Sequence, residues 1–179
     1  MHQGESDASR QHRIVVGVSG SLGSIAALHH AVAQARRTGA EVLAVLAWDP
    51  LGAEYAYRRP PRPPLLAARR EEAVARLREA VAGALGAGVP GVRLHGQVSR
   101  GRAGEVLVHA AGRADDLLVV GAGSGGPLRR ALRRSATRHC VRHAGCPVLV
   151  VPKPELQREW EAFGRHRAWQ LPTEPAPTH

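Results

Sequence analysis

The chain has 179 residues, 44% hydrophobic and only 3% aromatic, enough apolar material for one domain whose core is built from Val, Leu, Ile and Ala. It contains no apolar run of about 18 residues, which argues against a membrane-spanning helix. Its polar opening, MHQGESDASRQHR, lacks the apolar stretch of a secretory signal, so a cytoplasmic location is expected. Lys+Arg number 25 against 15 Asp+Glu, a formal net charge of +10, and Lys153 is the only lysine. That balance favours anionic ligands, or it reflects a coding preference for Arg and Ala.

Residues 1–12 read as a flexible N-terminal tail. The first strand is expected over Arg13–Val18, on the run Ile14, Val15, Val16, followed by the loop Ser19–Ser24. A helix is expected from Ser24 to Thr38, where Ala27, Ala31 and Ala35 recur every four residues and Gly39 supplies a stop. Glu41–Ala47 is a near-continuous apolar run, the signature of a strand covered on both faces. Residues 50–64, with RRPPRPP at their end, read as a surface loop.

A second helix is expected over Leu65–Leu85, with Leu66, Val74, Leu77, Val81 and Leu85 on an apolar stripe and Glu71 and Glu72 facing Arg76 and Arg78. The third strand is placed at Val92–Val98 and a helix at Gly104–Ala114. Asp115 and Asp116 then cap or solvate a turn before the fourth strand, Asp116–Val120. That strand runs into Gly121, Ala122, Gly123, Ser124, Gly125 and Gly126. A helix or helix pair spans Leu128–His143, and Pro147–Val151 is the fifth strand.

Strands alternating with helical crossovers of a dozen or more residues require parallel pairing with right-handed connections. The fold class is therefore α/β, a doubly wound, Rossmann-like sandwich. Ligands in such folds bind outside the carboxyl ends of the strands, where the strand order reverses. The loops after strands one and four, Ser19–Ser24 and Gly121–Gly126, follow strands in this way and adjoin if those strands are neighbours.

Several chemistries are excluded. Gly17, Gly20 and Gly23 lack the G-x-G-x-x-G spacing, there is no GxxxxGK[ST], and GSLGS at 20–24 is not a G-x-S-x-G elbow. Cys140 and Cys146 lie six apart with no second pair, so two reduced, partly buried thiols are expected rather than a zinc or redox site. Ten scattered histidines include no H-E-x-x-H. Arg129, Arg130, Arg133, Arg134, Arg138 and Arg142 form a basic face opposite Leu128, Leu132, Ala136, Cys140 and Ala144. The basic face is either a solvated surface or an anion site. With no interleaved aromatics, nucleic-acid binding is disfavoured.

Two segments, IVVGVSGSLGSIAALHHAVAQARRTGAEVLAVLAWDP at 14–50 and DDLLVVGAGSGGPLRRALRRSATRHCVRHAGCPVLVVP at 115–152, resemble the universal stress protein family, and the resemblance covers about residues 12–152. It implies a domain over residues 13–152 with a five-stranded parallel sheet of order 3-2-1-4-5 and helices on both faces. Residues 153–179 are left as a partly disordered C-terminal extension. It further implies a homodimer, often joined by antiparallel pairing of the last strands, here Val148–Val151.

Family members divide into ATP-binding and non-binding classes. The binders keep an Asp at the end of strand one and the pattern G-x-x-G-x9-G-[ST]. Here Ser19 stands at the Asp position. Gly121 keeps the first Gly, Ser124 takes the second between Gly123 and Gly125, Arg134 takes the third, and Ser135 keeps the hydroxyl. Gly17 and Ala47 match positions that line the nucleotide pocket. Those nine residues are the candidate cofactor-binding set, and no catalytic or metal-binding residue is expected. The resemblance with these departures implies a regulatory homodimer, non-catalytic or nearly so, acting through an unidentified protein partner and carrying a degenerate nucleotide loop. The alternatives are a protein that binds ATP with Mg2+ and hydrolyses it slowly at most, and generic anion or nucleic-acid binding through the Arg face.

Overall fold

The computed structural model describes residues 12–48, 63–86, 89–122 and 136–152. Five strands, β1 (Arg13–Gly17), β2 (Glu41–Trp48), β3 (Leu94–Arg100), β4 (Leu117–Gly121) and β5 (Val148–Val151), form one sheet in the order β3-β2-β1-β4-β5. Every pairing is parallel, and the order that the family resemblance implies is the order observed. Four helices flank the sheet: α1 (Leu22–Thr38), α2 (Pro63–Leu85), α3 (Ala103–Ala110) and α4 (residues 136–143).

The period of two in β1 divides the core. Ile14, Val16 and Val18 point to one face, where they meet Ala27, Leu28, Ala31, Val32 and Ala35 of α1 and Ala73 and Leu77 of α2. Val15 points to the other, where it meets Val45, Leu118, Val120, Val106 and Leu107 of α3, and Cys140 of α4. Small alanines on α1 let that helix lie close to the sheet. Its start is fixed by Ser21, whose hydroxyl accepts the Ser24 N–H at 3.3 Å. Its end is Gly39, at φ 71°, which donates to the Ala35 carbonyl.

Element boundaries moved where turns intervene. β3 starts two residues later than expected, because Gly91 (φ 78°) and the Val92 N–H to Val89 carbonyl bond form a turn before it. α3 ends at Ala110, short of Ala114. On α2 only Ala73 and Leu77 are fully buried, so the expected stripe packs at its centre and loosens toward both ends. Glu72 pairs with Arg69 at 2.9 Å rather than with Arg76 or Arg78. The expected loop at 50–64 and the tail and extension at the two termini lie outside the described residues, apart from the first two residues of α2 and His12.

Of the two expectations for Asp116, capping the turn holds, since it bonds back to Arg113, and solvation does not: it is 1% exposed. Arg13, at the start of β1, grips it in a two-pronged bond, Nε to Oδ1 at 3.1 Å and Nη2 to Oδ2 at 2.8 Å. Arg13 Nη2 also donates to the Ala110 carbonyl, and the Arg113 N–H donates to Asp116 Oδ2. The bond to Asp116 raises the Arg13 pKa above its ordinary value. This clasp ties β1, β4 and the end of α3 together at the amino ends of the strands. Asp116→Ala strands a mostly buried guanidinium and a backbone N–H, so a loss of about 2–4 kcal/mol is expected. A urea midpoint lowered with an unchanged slope checks it.

Candidate functional site

At the opposite end of the sheet, the carboxyl ends of β1 and β4 meet. Past Gly17 the chain pairs once more, Val18 N–H to the Val45 carbonyl at 2.8 Å, and then turns at Gly20 (φ 75°) into α1. Ser24 organises this turn although it is only 6% exposed. Its hydroxyl donates to the Ser21 carbonyl at 2.8 Å and accepts the Ser19 N–H at 3.1 Å. With its own polar groups satisfied, Ser24 holds the other two hydroxyls outward. Ser19 Oγ and Ser21 Oγ stand 3.0 Å apart at the rim, sharing one hydrogen bond.

Gly121 closes the other side. A Cβ there would fall 2.4 Å from the Gly23 carbonyl oxygen and 2.7 Å from its carbon, so the two loops touch backbone to backbone. Thr137 of α4 donates to the Gly121 carbonyl at 3.1 Å, and the Ala122 N–H reaches the Val151 carbonyl at 2.7 Å. β4 therefore ends held from both flanks.

Between these loops lies a pocket of about 140 Å³. Val18, Val45, Ala47, Leu107 and Val120 form apolar walls, and Ser19, Ser21, Ser24 and Thr137 supply hydroxyls. No charged side chain occurs among the described lining residues. Gly17, Ser19, Ala47 and Gly121 of the candidate set all lie here. Gly123, Ser124, Gly125, Arg134 and Ser135 fall outside the described residues.

Ser21, Ser24 and Thr137 are pocket residues that the sequence reading did not single out as ligand-facing. The serine spacing S-x-S-x-x-S at 19–24 was the available signal, since one serine must cap the helix and the next must satisfy the turn. Thr137 carried no signal of its own; only the fold brings it to Gly121.

The cysteines do not enter this chemistry. Cys140 is fully buried, its Sγ 3.9 Å from the Gly104 carbonyl, and burial pushes its thiol up to about 11. Burial raises Cys146 as well. Neither is a thiolate near neutral pH. Among the described residues no three His, Cys, Asp or Glu side chains gather to hold a metal.

The profile of the universal stress protein family matches residues 11–152. The chain belongs to the universal stress protein family. A universal stress protein of Methanocaldococcus jannaschii is 31% identical over 151 residues, 81% of this chain and 84% of that protein. The structure of universal stress protein UspA from Lactobacillus plantarum is similar at TM-score 0.59 and 28% identity, covering 80% of this chain and 99% of that one. A universal stress protein solved in complex with cAMP is similar at TM-score 0.50 and 25% identity, covering 82% and 100%. Among this family member's described residues no helix is long and apolar enough to cross a membrane.

The glycine contacts separate two kinds of cost. Gly121→Ala drives a methyl into the Gly23 backbone, which cannot rotate away, so about 1–3 kcal/mol of stability is lost. Gly23→Ala meets nothing within 4 Å and leaves stability unchanged within about 0.5 kcal/mol. Thermal melts of the two single variants side by side check the contrast.

Proposed function

We propose that this universal stress protein is a regulatory, non-catalytic homodimer whose pocket receives an adenine nucleotide by its base and sugar, without a requirement for Mg2+. The observation that carries the reading is the character of the pocket at the ends of β1, β2 and β4. Its walls are aliphatic, its rim is a row of neutral hydroxyls, and its position is the switch point of strand order. Flat apolar walls suit a purine, and the Ser19 and Ser21 hydroxyls suit a sugar. The relative solved with cAMP supports the ligand class.

The same composition argues against turnover. Phosphoryl transfer leans on carboxylates that hold Mg2+ and on a base that orients the nucleophile. The described lining residues include neither. The sequence from Ala122 to Ser135 contains no Asp or Glu but four arginines, which favours anionic phosphate directly rather than through a metal. Ser19 at the end of β1 adds no carboxylate of its own.

Calorimetry on nucleotide-stripped full chain tests this with cAMP, AMP and ATP, each with and without Mg2+. Binding of at least one adenine nucleotide is expected, with affinity unchanged by Mg2+. Ala47→Leu, which adds bulk to a pocket wall, is expected to weaken it by about tenfold or more, a loss of ~1.4 kcal/mol. No heat from any of the three, or binding only with Mg2+, overturns the reading.

The dimer rests on β5. It is an edge strand of Val148, Leu149, Val150 and Val151, and Leu149 and Val150 are 40% and 37% exposed. An apolar, uncharged edge with free backbone groups invites a second strand. Val150→Lys places two like charges near the two-fold axis of an antiparallel pair. Sedimentation equilibrium is expected to show a dimer for the native chain and a monomer for the variant, with nucleotide binding retained per chain.

A further inference from the structure

The sheet has a second free edge, β3, and it differs from β5 in every respect that selects a partner. Its ladder to β2 begins with the Val42 N–H bonded to the Arg93 carbonyl and ends with the Gly101 N–H bonded to the Trp48 carbonyl. In a parallel pair with the register Val42↔Leu94 to Trp48↔Arg100, the intervening bonds to β2 use His95, Gln97 and Ser99. The backbone groups of Leu94, Gly96, Val98 and Arg100 are therefore turned away from the sheet. Among the described residues no strand pairs with them.

Beside this edge runs a groove of about 860 Å³ between β3 and α2. Its floor is apolar: Val74, Leu77 and Val81 of α2, and Leu94 and Val98 of β3. Gly96 deepens it, because a Cβ there would stand 3.2 Å from Leu77 Cδ2 and fill the middle of the strand's face. The charged side chains that line it, Arg70 and Arg78, are both basic. Of the three acids on α2, Glu72 is engaged by Arg69, Glu79 lines a different pocket with Ser19 and Gly20, and the exposed Glu71 does not line the groove. Arg93 and Arg100, exposed at the two ends of the strand, add to the basic character, while the Glu41 carboxylate of β2 lies 4.0 Å from the His95 imidazole.

We propose that β3 and the α2 groove form a docking site for an extended acidic segment of a partner protein, which adds to the sheet as a sixth strand. Main-chain bonds to Leu94, Gly96 and Val98 supply the pairing, alternate apolar side chains fill the groove, and carboxylates between them meet the arginines. A second copy of this chain is disfavoured by the same charges. Self-pairing brings the Arg93 and Arg100 side chains of two copies close together, and like charges across a pair of strands are destabilising. This inference does not depend on nucleotide binding, since the pocket lies on the other side of β2.

The test uses the full chain, isotopically labelled, and two synthetic peptides: acetyl-(Glu-Val)3-Glu-amide and its lysine counterpart. The acidic peptide is expected to shift the amide resonances of Leu94, Gly96 and Val98 and to slow their hydrogen exchange; the lysine peptide is expected to do neither. Arg70→Glu/Arg78→Glu is expected to weaken the acidic peptide by about tenfold or more, because two attractive pairs become repulsive. Val98→Pro removes an outward N–H without breaking a bond to β2, a change that edge strands tolerate, and is expected to weaken it comparably. No change at β3 with the acidic peptide overturns the proposal. So does equal binding of both peptides, or binding that Val98→Pro leaves intact, which would mark a diffuse polyanion surface rather than a strand site.

Discussion

β1 and β4 are separated by about a hundred residues of chain yet run side by side, and both ends of their pairing are fixed by groups with no freedom to move. At the amino ends the Arg13 guanidinium locks onto a fully buried carboxylate, Asp116. At the carboxyl ends the Gly121 backbone rests on the Gly23 carbonyl, and Thr137 holds the carbonyl of Gly121 itself. The pocket is what remains between two loops pinned in this way. Its shape is set by backbone contacts and a buried serine, so its walls are preorganised before any ligand arrives.

The two anchors differ in physical kind. The ionic one stands where the strands begin, away from the ligand, and there a buried charge pair selects which strand lies beside β1. Its energetic worth relative to an apolar pair is small, but its loss leaves an unpaired charge. The glycine one stands at the site, where only an absent side chain lets two loops touch. A charge pair at the second place would fill the pocket with a carboxylate, and a glycine contact at the first would leave the strand order unspecified.

Most of the architecture was legible in the sequence because its strands are short apolar runs and its helices carry small residues every four positions. Ile14–Val16, Val42–Leu46 and Leu117–Val120 cannot be solvated, and the helices between them are long enough only for parallel crossovers. The strand order, by contrast, came from the family resemblance, since hydrophobic periodicity is the same for any permutation of buried strands. Asp116 was half legible for a related reason: an Asp beside an exposed Asp, ahead of a strand, marks the turn it caps but not its burial. Its partner is 103 residues away. Ser19 and Gly121 were reachable because they follow or end strands, while Gly17 and Ala47 came from the family resemblance. Ser24 acts on Ser19 and Ser21 close by in sequence, so the serine spacing marked it, whereas Thr137 acts on a Gly121 carbonyl that only the fold brings near.

The charge of the chain takes on a different meaning once it is placed. A net charge of +10 spread evenly would act as a solubility term and no more. Here the described lining of the pocket at the ends of β1 and β4 is neutral, β5 is neutral, and the groove beside β3 is basic. A neutral edge offers no charge that opposes its own copy, whereas a basic edge disfavours registers that bring its arginines together. A five-stranded parallel sheet necessarily has two free edges, and their unlike charge gives them unlike partners. In the proposed dimer β5 would pair with its own copy, which leaves β3, unpaired among the described residues, for a different chain.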